Sequence, residues 1–129
     1  MGTQINTWNP INKANNVTLS NDNLTAWNVS NAGTVISLYG VSSGKYYHEI
    51  TVDGGFQQMI GVSNGRIDLN ATGNFTKVDV RFYYYTGKKF PNNSSYGSEF
   101  TVNDVISILL DMDLGTIEFW KNGVSQGVA

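Results

Sequence analysis

His48 is the only histidine in a chain that has no cysteine. Any Ser-His-Asp relay, and any imidazole-bound metal, would have to use it. It lies in KYYHEITV (Lys45 to Val52), where strand alternation puts Tyr46, His48, Ile50 and Val52 on one face and Tyr47, Glu49 and Thr51 on the other. The mostly apolar company predicts a packed, hydrogen-bonded core histidine, not a catalyst. Asp111 and Asp113 form D-x-D at the mouth of a hairpin, a pattern that could ligate calcium. Aspartate just before Gly115 is also ordinary turn chemistry, its side chain accepting nearby amides, and the turn role is the expectation. Glu49, Glu99, Asp104 and Glu118 could supply the paired carboxylates of glycoside hydrolysis, yet all four fall on or beside strand patterns. The expectation is a protein that is not an enzyme and has no catalytic residue, cofactor or metal.

Recognition chemistry is better supplied. Tyr83, Tyr84, Tyr85, Phe90 and Tyr96 gather in and beside the polar segment GKKFPNNSSYGS. Alternation gives Tyr83 and Tyr85 one face and Phe82 and Tyr84 the other, so about half of the rings must serve the core. The candidates for ligand binding are Tyr85, Lys88, Lys89, Phe90, Asn92, Asn93 and Tyr96. Tyrosines among Asn and Ser make rigid amphipathic contact surfaces for proteins, and the same rings can stack on sugars. Arg66, Asp68 and Asn70 are assisting candidates in a second polar loop, with Ile67 and Leu69 expected to plug its underside.

The elements that must position these residues are short strands. Helical periodicity is absent, and turn residues punctuate the chain at the spacing of all-β domains. Strands are expected at Val17–Leu19, Leu24–Trp27, Val35–Tyr39, Lys45–Val52, Gln57–Val62 and Val78–Tyr85, with loops over Ser63–Thr76 and Thr86–Ser98. The last thirty or so residues carry the strongest pattern. Val105, Ser107, Leu109 and Asp111 alternate against Ile106, Ile108, Leu110 and Met112. Asp113 to Gly115 then turns the chain, Ile117 and Phe119 resume the alternation, and Asn122-Gly123 turns it again. Trp27 and Trp120 are expected in the core or at its rim, and Trp8 over a sheet edge.

The 129 residues suit one domain, with 40% hydrophobic and only 14% charged residues. A net charge of −2 with scattered basic residues argues against nucleic acid as partner. No apolar run approaches a membrane span, so no membrane association is expected either. Sequons such as those at Asn16 and Asn92 follow from a composition rich in Asn, Ser and Thr, and MGTQINTWNP lacks the apolar stretch of a signal peptide.

In order along the chain stand N-P-x-x-K-x-x-N-V-T-L-S-N-D-N-L-T-A (Asn9 to Ala26), S-S-G-K-Y-Y-H-E-I-T-V (Ser42 to Val52) and M-I-G-V-S-N (Met59 to Asn64). Y-Y-Y-T-G-K-K-F (Tyr83 to Phe90) follows, and then the stretch from Tyr96 to Ala129 containing D-V-I-S-I-L-L-D-M-D-L-G-T-I-E-F-W-K-N-G. This series closely resembles the SPRY domain, the core of the B30.2 module. Its N-terminal phrase looks more like bacterial and phage-encoded members. The resemblance implies an all-β fold, a bent antiparallel β-sandwich of the jelly-roll or concanavalin-like kind. It implies a non-catalytic binding module over residues 1–129, whose loops recognise a protein, a peptide or a surface glycan, in a phage tail or bacterial surface protein for example. An extracellular or virion-surface location is slightly favoured. His48 stands where the family usually has an aromatic, and family members continue beyond G-V-A with further strands. The domain is therefore expected to be incomplete at its C-terminus. The rival expectation is an assembly subunit whose open C-terminal edge pairs with another chain, by self-association or strand complementation.

Overall fold

The computed structural model describes residues 6–28, 32–55, 57–70 and 80–129. Strands are its only regular elements there, and every strand pair is antiparallel. The chain divides into two compact units, Met1–Gly40 with Gly65–Phe75, and Val41–Asn64 with Thr76–Ala129.

The first unit is built of two small ladders. β1 (Trp8–Lys13) pairs with β4 (Val35–Ser37), and β2 (Thr18–Ser20) with β3 (Thr25–Trp27). β1 lies outside the strands that the pattern predicts, because Pro10 removes a ladder donor. It forms with an irregular register, and the buried Asn9 side chain accepts the amides of Ile11 and Asn12 at 2.9 and 3.0 Å. The β2–β3 connection sets Asn21, Asp22 and Asn23 in succession at positive φ, a conformation that short Asx side chains tolerate. Trp27 is 49% exposed, at the rim and not in the core, at the end of a three-residue strand.

The second unit is the β-sandwich. One sheet runs β12 (Val124–Val128), β11 (Thr116–Lys121), β10 (Val105–Asp111), β5 (Lys45–Thr51). The other runs β6 (Met59–Ser63), β7 (Val80–Tyr84), β8 (Lys88–Phe90), β9 (Ser94–Ser95). Between them lie Val52, Ile60, Tyr83, Phe100, Ile106, Ile108, Ile117 and Phe119, all buried. Alternation therefore resolves as Ile106, Ile108, Ile117 and Phe119 inward, with Ser107, Leu109, Glu118 and Trp120 outward. Asn122 and Gly123, at φ 49° and 80°, close β11 onto β12 as the dipeptide predicts.

Two expectations need correction. Thr86–Ser98 is not a plain loop but holds the β8–β9 pair. His48 is exposed and has no hydrogen bond among the described residues. It does share the inward side of β5 with its partner Ile108, and partial burial there lowers its pKa. β5, however, is an edge strand of this sheet, and its neighbours Tyr46 and Tyr47 are 43% and 57% exposed. The start of the expected strand at Val78 and Asp79, and the Gly73-Asn74 turn, lie outside the described residues.

Candidate functional site

The D-x-D pair does turn work. Asp111 Oδ1 accepts the amides of Asp113 and Leu114 at 3.0 and 2.9 Å, and Asp113 Oδ1 accepts Gly44 N at 2.9 Å. Asp111 also lies 3.7 Å from Lys45 Nζ. No group of three or more acidic or histidine side chains suited to a metal occurs among the described residues.

Recognition chemistry gathers on the β7–β9 end of the sandwich. Phe82 pairs with Phe90 and Tyr83 with Lys89, so adjacent residues of β8 face opposite ways. Phe90 meets Tyr84 edge-on, ring centroids 5.6 Å apart, and Tyr84 meets Tyr85 at 4.6 Å. These contacts order the rings before any partner arrives, which lowers the entropy lost on binding. Burial, with Tyr85 beside it, raises the Tyr84 pKa, so its phenol stays a neutral donor. Lys88, Asn92 and Asn93 are exposed around this cluster, Asn93 at φ 50° on the turn. A shallow cleft of about 140 Å³ is lined by Arg81, Phe82, Lys89, Phe90, Pro91, Asn92 and Ala129.

Tyr96 plays a different part from the rest. Its hydroxyl donates to the Gly127 carbonyl and accepts Phe119 N at 3.1 Å. Its ring packs edge-on against Tyr83 and Phe119 at 5.3 and 6.0 Å. The outer side of the ring is left to Lys89, whose ammonium sits 5.8 Å from the centroid. Tyr85 likewise packs against the core.

The structure thus brings Tyr85, Lys88, Lys89, Phe90, Asn92, Asn93 and Tyr96 into one region of the second unit. Arg66, Asp68 and Asn70 belong to the first unit. There Asp68 Oδ1 accepts Asn70 N and Asn70 Oδ1 accepts Asn15 N, both at 3.0 Å, so Asp68 braces its own loop and Asn70 ties that loop to the turn after β1. Sequence reasoning placed Tyr84 in the aromatic cluster without choosing it as a binding residue, and it missed Arg81. Alternation from Phe82 does assign Tyr84 to the face away from Tyr83, but which face was core required the fold.

A hydrogen-bonded sandwich presenting rings, amides and cations at one end has the character of a binding module. The SPRY domain family model matches residues 45–129, and the chain belongs to the SPRY family. SPRY domains are generally protein-interaction modules. The chain is 36% identical over 97 residues to the ATP-dependent RNA helicase DDX1 of Xenopus laevis, covering 72% of this chain and 12% of that protein. It thus spans about an eighth of that relative's length. The crystal structure of the SPRY domain of human HERC1 superposes with a TM-score of 0.73 at 23% identity, covering 95% of this chain and 79% of that one. At that identity the likeness speaks for the fold.

Proposed function

We propose that this SPRY domain is a non-catalytic module that binds a protein or peptide through the β7–β9 end of its sandwich. The observation that carries the reading is the ordered ring cluster Tyr84, Tyr85 and Phe90, with Lys88, Asn92 and Asn93 exposed around it. Arg81 and Lys89 make the adjoining cleft cationic, which favours a segment bearing carboxylates or backbone carbonyls. Arg66, Asp68 and Asn70 remain assisting candidates. A surface glycan is the variant ligand for the same rings, and a phage tail or bacterial surface protein the corresponding setting; the support is the sequence of the N-terminal phrase. Helicase activity is not read onto a chain that matches 12% of DDX1. The test is a peptide and glycan array probed with the wild type and with a variant in which Lys88, Lys89, Phe90 and Asn92 are all replaced by Ala. Ligands captured equally by both proteins would refute the assignment.

A second reading, assembly through strand addition, has its own observation. β12 is an edge strand of its sheet, with Val124 and Val128 64% and 61% exposed. Light scattering separates the two readings, since a monomer at all concentrations removes self-association as the obligate role.

A further inference from the structure

The outward face of the other sheet carries a feature that this reading does not use. β10 forms the floor of an open groove of about 430 Å³, lined by Tyr47, Glu49, Val105, Ser107, Leu109, Trp120, Asn122 and Gly123. The register fixes its layout. Ser107 lies between Glu49 on β5 and Trp120 on β11, and Leu109 lies between Tyr47 and Glu118. Each wall therefore presents one aromatic ring and one carboxylate, in opposite order along the groove. The walls stand two strand spacings apart, about 10 Å, which admits one extended chain.

The walls are also held in place. Tyr47 Oη donates to Glu49 and lies 3.2 Å from Ser107 Oγ, and Ser107 itself is buried. Trp120 Nε1 donates to Glu118 Oε1 at 2.7 Å, and Ser125 Oγ donates to the same oxygen. Each carboxylate is thus anchored by neutral donors. Neither is in an ion pair among the described residues, where the two ion pairs join Lys45 to Asp111 and Lys121 to Asp104. Lys45, the cation on this face, is already turned to Asp111 at one end. Two unpaired carboxylates beside two pinned aromatic faces form a surface complementary to cations, since rings attract guanidinium and ammonium groups over their faces.

We propose that this groove docks an extended basic segment of a protein partner, with two arginine or lysine side chains flanking one apolar residue. The apolar side chain would sit on the floor between Ser107 and Leu109. The basic ones, on long flexible stems, would reach sideways to Glu49 beside Tyr47 and to Glu118 beside Trp120. Because the two carboxylates stand on opposite walls at levels two residues apart along β10, about 7 Å, residues i and i+2 of an extended chain match that spacing along the groove.

The test is an NMR titration of the full chain with a blocked Gly-Arg-Leu-Arg-Gly peptide. We expect saturable shifts at the Trp120 indole N–H and at the amides of Val105 to Leu109, weakening as salt is raised. The paired substitution Glu49→Gln and Glu118→Gln keeps shape and oxygen acceptors, and should weaken binding by about tenfold or more. Lys88→Ala with Lys89→Ala should leave it unchanged, so that this groove and the β7–β9 surface fail or stand separately. Shifts confined to another surface, no saturation at about millimolar peptide, or equal affinity in the double-glutamine protein would overturn the proposal. So would equal binding of a Gly-Glu-Leu-Glu-Gly peptide.

Discussion

The β10–β11–β12 meander and the segment from Thr86 to Ser98 both shape the second unit, yet they are specified in different ways. The meander is written locally. Inward and outward residues alternate along β10 and β11, and Asn122-Gly123 has the two positive φ values that close a two-residue turn. The 86–98 segment reads as polar loop because its order comes from distant residues. Gly87 O accepts the amides of both Tyr96 and Gly97 at 2.9 Å. Tyr83 donates its phenol to the Ser98 carbonyl, and Gln126 Oε1 on β12 accepts Ser98 N at 2.9 Å. A sequence read in windows sees the first kind of specification and is blind to the second.

The largest test of this contrast uses one glycine from each region. Gly87 and Gly123 both have positive φ, at 82° and 80°. A Cβ on Gly87 would collide with the Gly97 carbonyl oxygen, whereas one on Gly123 would meet nothing within 4 Å. Gly123→Ala should therefore cost only the left-handed penalty, about 1–2 kcal/mol. Gly87→Ala must also push the β8–β9 pair off the turn, and should cost about 3 kcal/mol or more. Urea unfolding of both variants decides the point. Equal losses would show that the segment is as loosely held as its composition suggests.

Tyr83 offers a pH-dependent version. Its ring is fully buried among Tyr96, Phe100 and Phe119, and burial, reinforced by the nearby Tyr96 and Asp104, pushes its pKa up to about 12. In the unfolded chain a tyrosine ionises near 10, roughly its ordinary value. The folded state thus favours the protonated phenol. That contribution is complete below about pH 10 and is lost as pH rises to about 12. Stability should fall by about 2–3 kcal/mol across that window. Tyr83→Phe should lower stability at neutral pH, because the Ser98 carbonyl loses its donor, and should flatten the alkaline limb. An alkaline limb as steep in the phenylalanine variant would assign the titration to other groups.

How much was legible follows the same division. The sandwich, the D-x-D turn and the family were readable, because alternation, turn chemistry and collinear motifs are local signals. His48 was misplaced, because alternation names the face a side chain takes but not whether its strand lies at a sheet edge. The candidate residues in the second unit do lie near one another. No local signal, however, reveals that Tyr96 is tied to β12 and Phe119, or which face of β7 is core. Gln126→Ala probes that hidden stitching directly. It should cost about 1 kcal/mol and raise amide exchange at Ser98 more than at any residue of β10. Uniform acceleration across both regions would mean that the stitch belongs to the global fold and not to the segment.

The smallest expected effect has the opposite sign. Thr86 Oγ1 is enclosed with no hydrogen-bond partner, the one such side-chain atom among the described residues. It sits in the turn between β7 and β8, directly before Gly87. An enclosed hydroxyl without a partner forfeits its hydration, while its carbon shape contributes packing like that of valine. Thr86→Val keeps that shape and the β-branch, so the segment should lose nothing and gain up to about 1 kcal/mol. In the meander an analogous swap at Ser107, whose oxygen lies within bonding distance of the Tyr47 phenol, should cost stability instead. Paired thermal melts of Thr86→Val and Ser107→Ala give the sign of each change. A loss on Thr86→Val comparable to that of Ser107→Ala would mean that the Thr86 hydroxyl is satisfied after all, by ordered water or by a bound partner. The turn beside the proposed binding surface would then hold a polar contact that the fold alone does not supply.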